Sequence, residues 1–373
     1  IVAWVIGWDL ILEMLMAGSV VSKYWGVYLN QFFELIGWNI NTNIAIGSFN
    51  FDLAPVIIVA FFTALLVMGT KIGARVDGAL TILKIAIVVF IVVVGFFYIK
   101  AENFTPFIPP SEPAASTDGS GVSAVMEQPL WQWATGMAPS IYGVTGIISG
   151  AALVFFAFLG FDVVATASEE TINPKKNVPL GIGVGLGLII VLYTLVAIVT
   201  TGMVSYKDLA KQSDPSLAVA FKMVGADWAA KIISLGIVIG MATVVMVLLL
   251  GLTRVVFAMS RDGLLPRGLS HTGKHGTPVR LQIIVGVVMA LIAACCNVGI
   301  LSDMVNIGTL SAFTLVAISI PIMRKKRPDL ERSFKIPGNP WVPILIAIAN
   351  LWLMVNLSVL TWIRFVVWLI VGF

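Results

Sequence analysis

The sequence predicts an all-α membrane protein, built as a bundle of about ten transmembrane helices. Hydrophobic residues make up 59% of its 373 residues and charged residues only 11%, whereas a soluble domain carries roughly 25% charged residues. The apolar runs reach the length of about 20 residues that crosses a bilayer, and they lack the period-two alternation of strands. Because lipid cannot satisfy backbone hydrogen bonds, helices are the expected spanning elements.

Ten apolar segments give the order of the predicted helices. They lie near 1–22, 53–70, 78–99, 146–168, 179–204, 229–259, 281–297, 302–323, 342–357 and 359–373. Residues 1–373 are therefore expected to form a single transmembrane domain. Since Ile1 and Phe373 both fall inside apolar runs, we expect this domain to be truncated at both ends.

The positively charged loops predict the orientation of the helices, because cytoplasmic loops carry an excess of Lys and Arg. One alternating set of loops contains Lys71, Arg75, Lys175, Lys176, Arg261, Arg267, Lys274, Arg280, Arg324, Lys325, Lys326, Arg327, Arg332 and Lys335. With this set in the cytoplasm, the first helix runs from inside to outside in a multi-pass protein of the cell membrane. The segment 101–145 then lies outside, and its Pro, Ser, Gly and Ala content predicts a flexible extracellular loop.

Ionisable side chains within the predicted helices are candidate functional groups, because charge at membrane depth is costly. Lys84 lies about two turns into the third segment. It is either a cation that gains and loses a proton between helices or a lysine that extends to the cytoplasmic surface. Asp9 and Glu13 are four residues apart, so they share one face of the first helix. Each is either part of a site or a polar group satisfied by neighbouring helices.

A glycine and an acid interrupt the fourth apolar segment. Gly160 is followed closely by Asp162 at the end of an aromatic-rich run. An unwound stretch in a membrane helix is tolerated where its backbone faces a cavity, and transporters use such discontinuous helices to bind ions and charged substrate groups. The alternative is a plain kink with Asp162 in a hydrogen bond.

Several other classes of protein are excluded by motifs that the sequence lacks. It has no Walker A loop, no His-Glu-x-x-His and no Gly-x-Ser-x-Gly, so we expect no enzyme activity. It has no basic block for nucleic acid, and the adjacent Cys295 and Cys296 offer no zinc spacing. The four glycines between 181 and 187 form two overlapping Gly-x-x-x-Gly pairs, which predict close helix packing there.

Four motifs resemble the amino acid–polyamine–organocation superfamily, most closely its cationic amino acid transporter branch. The first is Phe-Phe-Ala-Phe-Leu-Gly-Phe-Asp at 155–162. It is followed by 169–179, which belongs to the same motif, and the other three motifs lie at 253–266, 274–280 and 334–343. The resemblance implies a leucine-transporter-like fold of two inverted five-helix repeats plus two further helices. Aligned in this way, the chain begins at the family's third helix, so the first two helices are expected to be absent.

The resemblance also implies a substrate site. Phe156, Ala157 and Leu159 match the unwound stretch whose carbonyls hold the substrate amino group, and Gly160 permits the break. Asp162 would lie just below it and favour cationic side chains.

Further site residues follow from the same resemblance. Lys84 matches the lysine that replaces sodium in family members without sodium coupling, and Thr243 is a weaker candidate beside it. Met246 matches the position that tunes pocket size; because methionine fills space, small neutral amino acids such as alanine are expected rather than arginine. Glu13 is expected to face the same pocket.

The sequence thus predicts a secondary transporter that takes up amino acids with a proton by alternating access. It predicts no cofactor, metal or sodium ion, and its partners are the amino-acid substrate, the lipid bilayer and a possible small single-helix membrane protein, with no nucleic acid. One alternative is an exchanger or facilitator that is independent of protons. An alternative of another class is an amino-acid-gated channel or sensor, which would need a continuous polar pore.

Overall fold

The structure, a computed structural model, describes residues 2–38, 42–46, 49–69, 74–113, 125–138, 140–161, 164, 171–212, 215–271, 278–329 and 335–372. Within these ranges, each of the ten predicted segments corresponds to one apolar helix, which confirms the all-α bundle. The helices are α1 Val2–Leu35, α2 Leu53–Val67, α3 Ala74–Phe96, α4 Gly143–Val154, α5 Pro174–Met203, α6 Asp227–Arg261, α7 Val279–Cys295, α8 Val298–Lys326, α9 Trp341–Val355 and α10 Val359–Gly372.

The helices differ in length. Five of them (α1, α3, α5, α6 and α8) contain at least 18 residues and are apolar enough to cross a membrane, while the other five are shorter apolar helices. Helix α1 continues to Leu35, well beyond the predicted end near residue 22. Its added turns carry aromatic residues, which favour the membrane interface, and one of them, Tyr28, is buried.

Helix α1 lies at the centre of the bundle and packs chiefly against α6 and α8. One side of it joins a large apolar cluster with α2, α6 and α7, to which Ile11 and Met14 contribute. Another side, including Leu12, joins a cluster with α4, α8, α9 and α10. A third cluster joins α3, α5 and α6. Helix α1 therefore shares apolar clusters with most of the other helices, including α4.

Close packing through glycines occurs between α3 and α6, away from the predicted place. A β-carbon added at Gly236 would meet Ile87, and one added at Gly240 would lie 3.3 Å from Cγ of Lys84. These glycines are four residues apart, so they form a groove on one face of α6. The predicted packing at the glycines of 181–187 is not found in the described part of the chain, where a β-carbon at any of them would meet nothing within 4 Å. That stretch of α5 is largely exposed, as lipid-facing helices are.

The segment 101–145 is more ordered than predicted in the parts that the structure describes. It contains a 3₁₀ turn at Ala101–Phe104, a short helix at Leu130–Thr135, and strands β3 (Glu112–Pro113) and β4 (Ser140–Ile141), which pair antiparallel. The amide of Leu130 donates to the carbonyl of Leu357 at 3.0 Å. Nε1 of Trp131 also donates to Oδ1 of Asn356 at 2.8 Å, so this part of the segment is attached to the bundle.

The remaining short elements lie in connections. Strands β1 (Asn43–Ile46) and β2 (Phe49–Asp52) form an antiparallel hairpin between α1 and α2. Two short helices, Tyr206–Ala210 and Leu217–Met223, join α5 to α6, and a 3₁₀ turn at Arg267–Ser270 follows α6. Asp52 caps α2 by accepting a hydrogen bond from the amide of Ala54 at 3.2 Å.

Candidate functional site

The candidate site is built on a break at the end of α4. The helix ends at Val154 and continues as a 3₁₀ turn over Phe155–Phe158. Leu159 is extended, with φ −64° and ψ 151°, and Gly160 has φ +113°, a region that residues with a β-carbon rarely adopt. The helix therefore stops where the sequence predicted an unwound stretch.

The break frees backbone carbonyls, and three of them have partners. The carbonyl of Phe156 accepts from the amide of Leu159 at 3.2 Å, and that of Ala157 accepts from the hydroxyl of Tyr193 at 3.0 Å. The carbonyl of Leu153 accepts from Nδ2 of Asn306 at 3.0 Å. A carbonyl oxygen has two lone pairs, so each of these groups can still accept a second hydrogen bond from a ligand.

Side chains from three helices surround the break. Phe156 and Leu159 pack against a small cluster formed by Ala17 of α1, Leu248 of α6 and Val305 of α8, and Val244 of α6 joins it. This arrangement gives the break an apolar lining.

Glu13 precedes Ala17 by one helical turn, and its residue is 2% exposed. Because residues four apart lie on one face of a helix, Glu13 is on the side of α1 that faces the break. Whether Glu13 faces the substrate pocket stays a prediction of the resemblance.

Met246 lies on a different face of α6. It packs against the apolar cluster shared by α1, α2, α6 and α7, whereas the residues of α6 beside the break are Val244 and Leu248. A helix turns by about 100° per residue, so Met246 points roughly opposite to both. The structure thus does not place Met246 with the other candidate substrate residues.

Lys84 and Thr243 meet at Gly240. Carbon atoms Cγ, Cδ and Cε of Lys84 would all lie within 4 Å of a β-carbon at Gly240, so the lysine stem crosses α6 at this glycine. The hydroxyl of Thr243 donates to the carbonyl of Gly240 at 2.8 Å, and this hydroxyl is buried. Gly240 is one turn from Val244, which packs beside the break, so the two candidate regions are about 6 Å apart along α6.

The two remaining acidic candidates, Asp162 and Asp9, differ in what the structure shows of them. Asp162 lies outside the described residues. Asp9 is fully buried and accepts a hydrogen bond from Ser311 of α8 at 2.9 Å. The backbone carbonyl of Asp9 would lie 3.5 Å from a β-carbon at Gly308, so this acid sits where α1 and α8 cross closely.

Sequence reasoning missed three side chains that support this region: Tyr193, Asn306 and Ser311. Each is a neutral polar residue inside an apolar run, whereas ionisable side chains and one glycine break were the features taken from the residues themselves. Counting every hydrogen-bonding side chain at membrane depth would have found them, because an unsatisfied polar group is costly in lipid.

A pocket of about 560 Å³ lies next to α4 and reaches the turn before the break. Its lining includes Tyr142, Leu153, Asp303 and Glu127. The hydroxyl of Thr361 donates to the carboxylate of Asp303 at 3.1 Å. Among the described residues, no group of three or more His, Cys, Asp or Glu side chains is arranged to hold a metal ion.

Tyr142, immediately before α4, is held by residues of the neighbouring connections. Lys207 donates to Glu112 at 2.8 Å and lies 5.7 Å above the ring of Tyr142, while Tyr206 packs edge-on to that ring at 5.2 Å. The hydrogen bond to Glu112 raises the pKa of the Lys207 ammonium group above its ordinary value. These contacts tie the start of α4 to the connection that follows α5.

Comparison with known proteins decides the family. Residues 1–372 match the sequence family described as "Amino acid permease". The chain belongs to the amino acid permease family. It is a multi-pass membrane transporter, and its relatives are transporters rather than enzymes.

Three relatives illustrate the range of this family. The chain is 39% identical to the branched-chain amino acid permease BcaP of Bacillus subtilis over 382 residues, which cover all of this chain and 75% of that protein. It is 39% identical to the methylthioribose transporter of the same bacterium, with the same shares covered. It is 34% identical to cationic amino acid transporter 3, mitochondrial, of Arabidopsis thaliana, over 88% of this chain and 50% of that protein.

Proposed function

We propose that this permease takes up neutral amino acids together with a proton, by alternating access around the break that follows α4. The observation that carries the proposal is the position of two contacts on α6. Val244 and Leu248 line the break, and Gly240, one turn earlier, holds the stem of Lys84. A rearrangement of α3 against α6 at Lys84 would therefore move the wall of the substrate site.

The lining of the break favours an amino acid with an uncharged side chain. Phe156, Leu159, Val244, Leu248 and Val305 are all apolar, and burying a charged side chain among them would be costly. The backbone carbonyls of the break are acceptors, which suit the ammonium group of an amino acid. A relative named for branched-chain amino acids agrees with this choice. Alanine and leucine are therefore preferred to arginine.

The proton is the proposed coupling ion, and no sodium ion or cofactor is needed. The amine of a lysine is a cation only while it holds a proton. Its protonation state changes the contacts that Lys84 makes with α6, and a ligand or proton shifts a conformational equilibrium only through such differential contacts. Thr243 is a positioning residue in this scheme, because its hydroxyl is bonded to the carbonyl of Gly240.

The test is uptake by the full-length protein in liposomes. Radiolabelled alanine, leucine, arginine and methylthioribose are each supplied with and without an inward proton gradient. We expect leucine and alanine uptake to follow the gradient, with arginine and methylthioribose much slower. Faster transport of methylthioribose or arginine would overturn the substrate, and uptake that ignores the gradient would favour a proton-independent exchanger.

A further inference from the structure

We propose that Asn306 of α8 binds the substrate ammonium group through its Oδ1 atom while its Nδ2 atom holds the end of α4. Asn306 is fully buried. Its amide nitrogen donates to the carbonyl of Leu153 at 3.0 Å. Among the described residues, its Oδ1 atom has no hydrogen-bond partner. The inference rests on the proposed transport of amino acids.

The role of the nitrogen follows from the end of the helix. The last four carbonyls of an α-helix lack partners within the helix, and Leu153 lies one residue before the end of α4. Asn306 therefore satisfies a carbonyl that the break leaves open. This bond fixes the orientation of the side-chain amide, which leaves Oδ1 on the opposite side of the amide group.

The role of the oxygen follows from its burial. A buried acceptor without a partner destabilises a protein, so native structures rarely retain one without a ligand or water to complete it. An ammonium group carries three donors and no acceptor, which complements an open amide oxygen. The bond to Leu153 holds Asn306 about one helical turn before Phe156, which packs beside the proposed substrate site.

A pocket beside α4 lies next to this contact. Leu153, whose carbonyl Asn306 holds, lines the cavity of about 560 Å³ that also contains Asp303 and Glu127. A ligand that enters this pocket therefore reaches the turn of α4 that Asn306 holds.

The test compares leucine with 4-methylpentanoate, which lacks the ammonium group, as ligands of the purified full-length protein. Asn306→Leu removes both the donor and the acceptor, while Asn306→Asp removes the donor and keeps acceptor oxygens. Asn350→Leu is the matched control, because Asn350 is also a buried asparagine but lies on α9. The melting temperature of each variant is measured beside its affinity for both ligands.

We expect the parent protein to prefer leucine strongly. The preference should fall about 10- to 100-fold in Asn306→Leu, as a lost hydrogen bond to a charged group predicts, and should survive in Asn306→Asp and Asn350→Leu. If both Asn306 variants bind weakly but keep the parent preference, Asn306 only supports the helix and the proposal is wrong. A parent that does not bind leucine would overturn the proposed function itself, together with the ligand assigned to Asn306.

Discussion

The groove between α3 and α6 gives a sharp prediction about packing. Gly236→Ala places a β-carbon against Ile87, with Cγ1 of that residue only 2.8 Å away. Gly183→Ala, on the exposed part of α5, places one where no atom of the described residues lies within 4 Å. Both substitutions raise helix propensity by about 1 kcal/mol, so the difference between them reports packing alone.

The magnitude follows from the crowding at Ile87. Excess volume in a packed interior typically costs about 1–3 kcal/mol, because the neighbouring side chain must leave its rotamer or the helices must separate. We therefore expect Gly183→Ala to be neutral or stabilising and Gly236→Ala to lower stability by about 1–3 kcal/mol relative to it. At roughly 2 °C per kcal/mol for a large chain, the melting temperatures should differ by several degrees.

The assay is thermal unfolding of the purified protein in detergent, followed by intrinsic tryptophan fluorescence. Gly240→Ala provides an intermediate case, because its β-carbon would lie 3.3 Å from the flexible stem of Lys84, and it should fall between the other two variants. Equal melting temperatures for Gly236→Ala and Gly183→Ala would refute the proposed contact between α3 and α6.

Three further predictions concern individual hydrogen bonds. Burial raises the pKa of Asp52 above 3.8, so the folded parent loses stability as the pH rises above about 4 and this carboxyl ionises. Asp52→Asn keeps the cap but does not ionise. Its stability relative to the parent should therefore increase above about pH 4. Asp52→Ala loses the cap and should cost about 0.5–2 kcal/mol in thermal unfolding. Tyr193→Phe removes the donor to Ala157 and should weaken leucine binding about 2- to 10-fold without lowering the melting temperature to the same degree. The hydrogen bond to Glu112 raises the pKa of Lys207, so the parent loses the stability from this bond as the pH rises above 10.5. A difference in stability between the parent and Lys207→Met at pH 8 should therefore shrink above pH 10.5.

The sequence was sufficient to predict the helices and the break, because both depend on local composition. Apolar runs of helix length indicate where the chain crosses the membrane, and Gly160 can adopt a backbone conformation that other residues avoid. The residues around the break, however, come from α1, α6 and α8, and their contacts depend on how these helices rotate about their axes.

The sequence did not show which face of each helix points toward the break. Met246, Val244 and Leu248 all lie in an apolar stretch of α6, and a helix that is apolar on every side gives no period from which to deduce its inward face. Gly-x-x-x-Gly spacing was ambiguous for the same reason, since it occurs both in the packed groove at Gly236 and Gly240 and on the open face of α5.

The central claim is that Lys84 couples a proton to movement of the substrate site. The most direct measurement is leucine uptake and leucine exchange by the full-length protein in liposomes, comparing the parent with Lys84→Met and with Lys231→Met, an exposed lysine of α6. The account predicts that uptake follows the proton gradient in the parent and in Lys231→Met, while Lys84→Met keeps exchange and loses the response to the gradient. If Lys84→Met still responds to the gradient as the parent does, Lys84 is not the coupling group and the account is wrong.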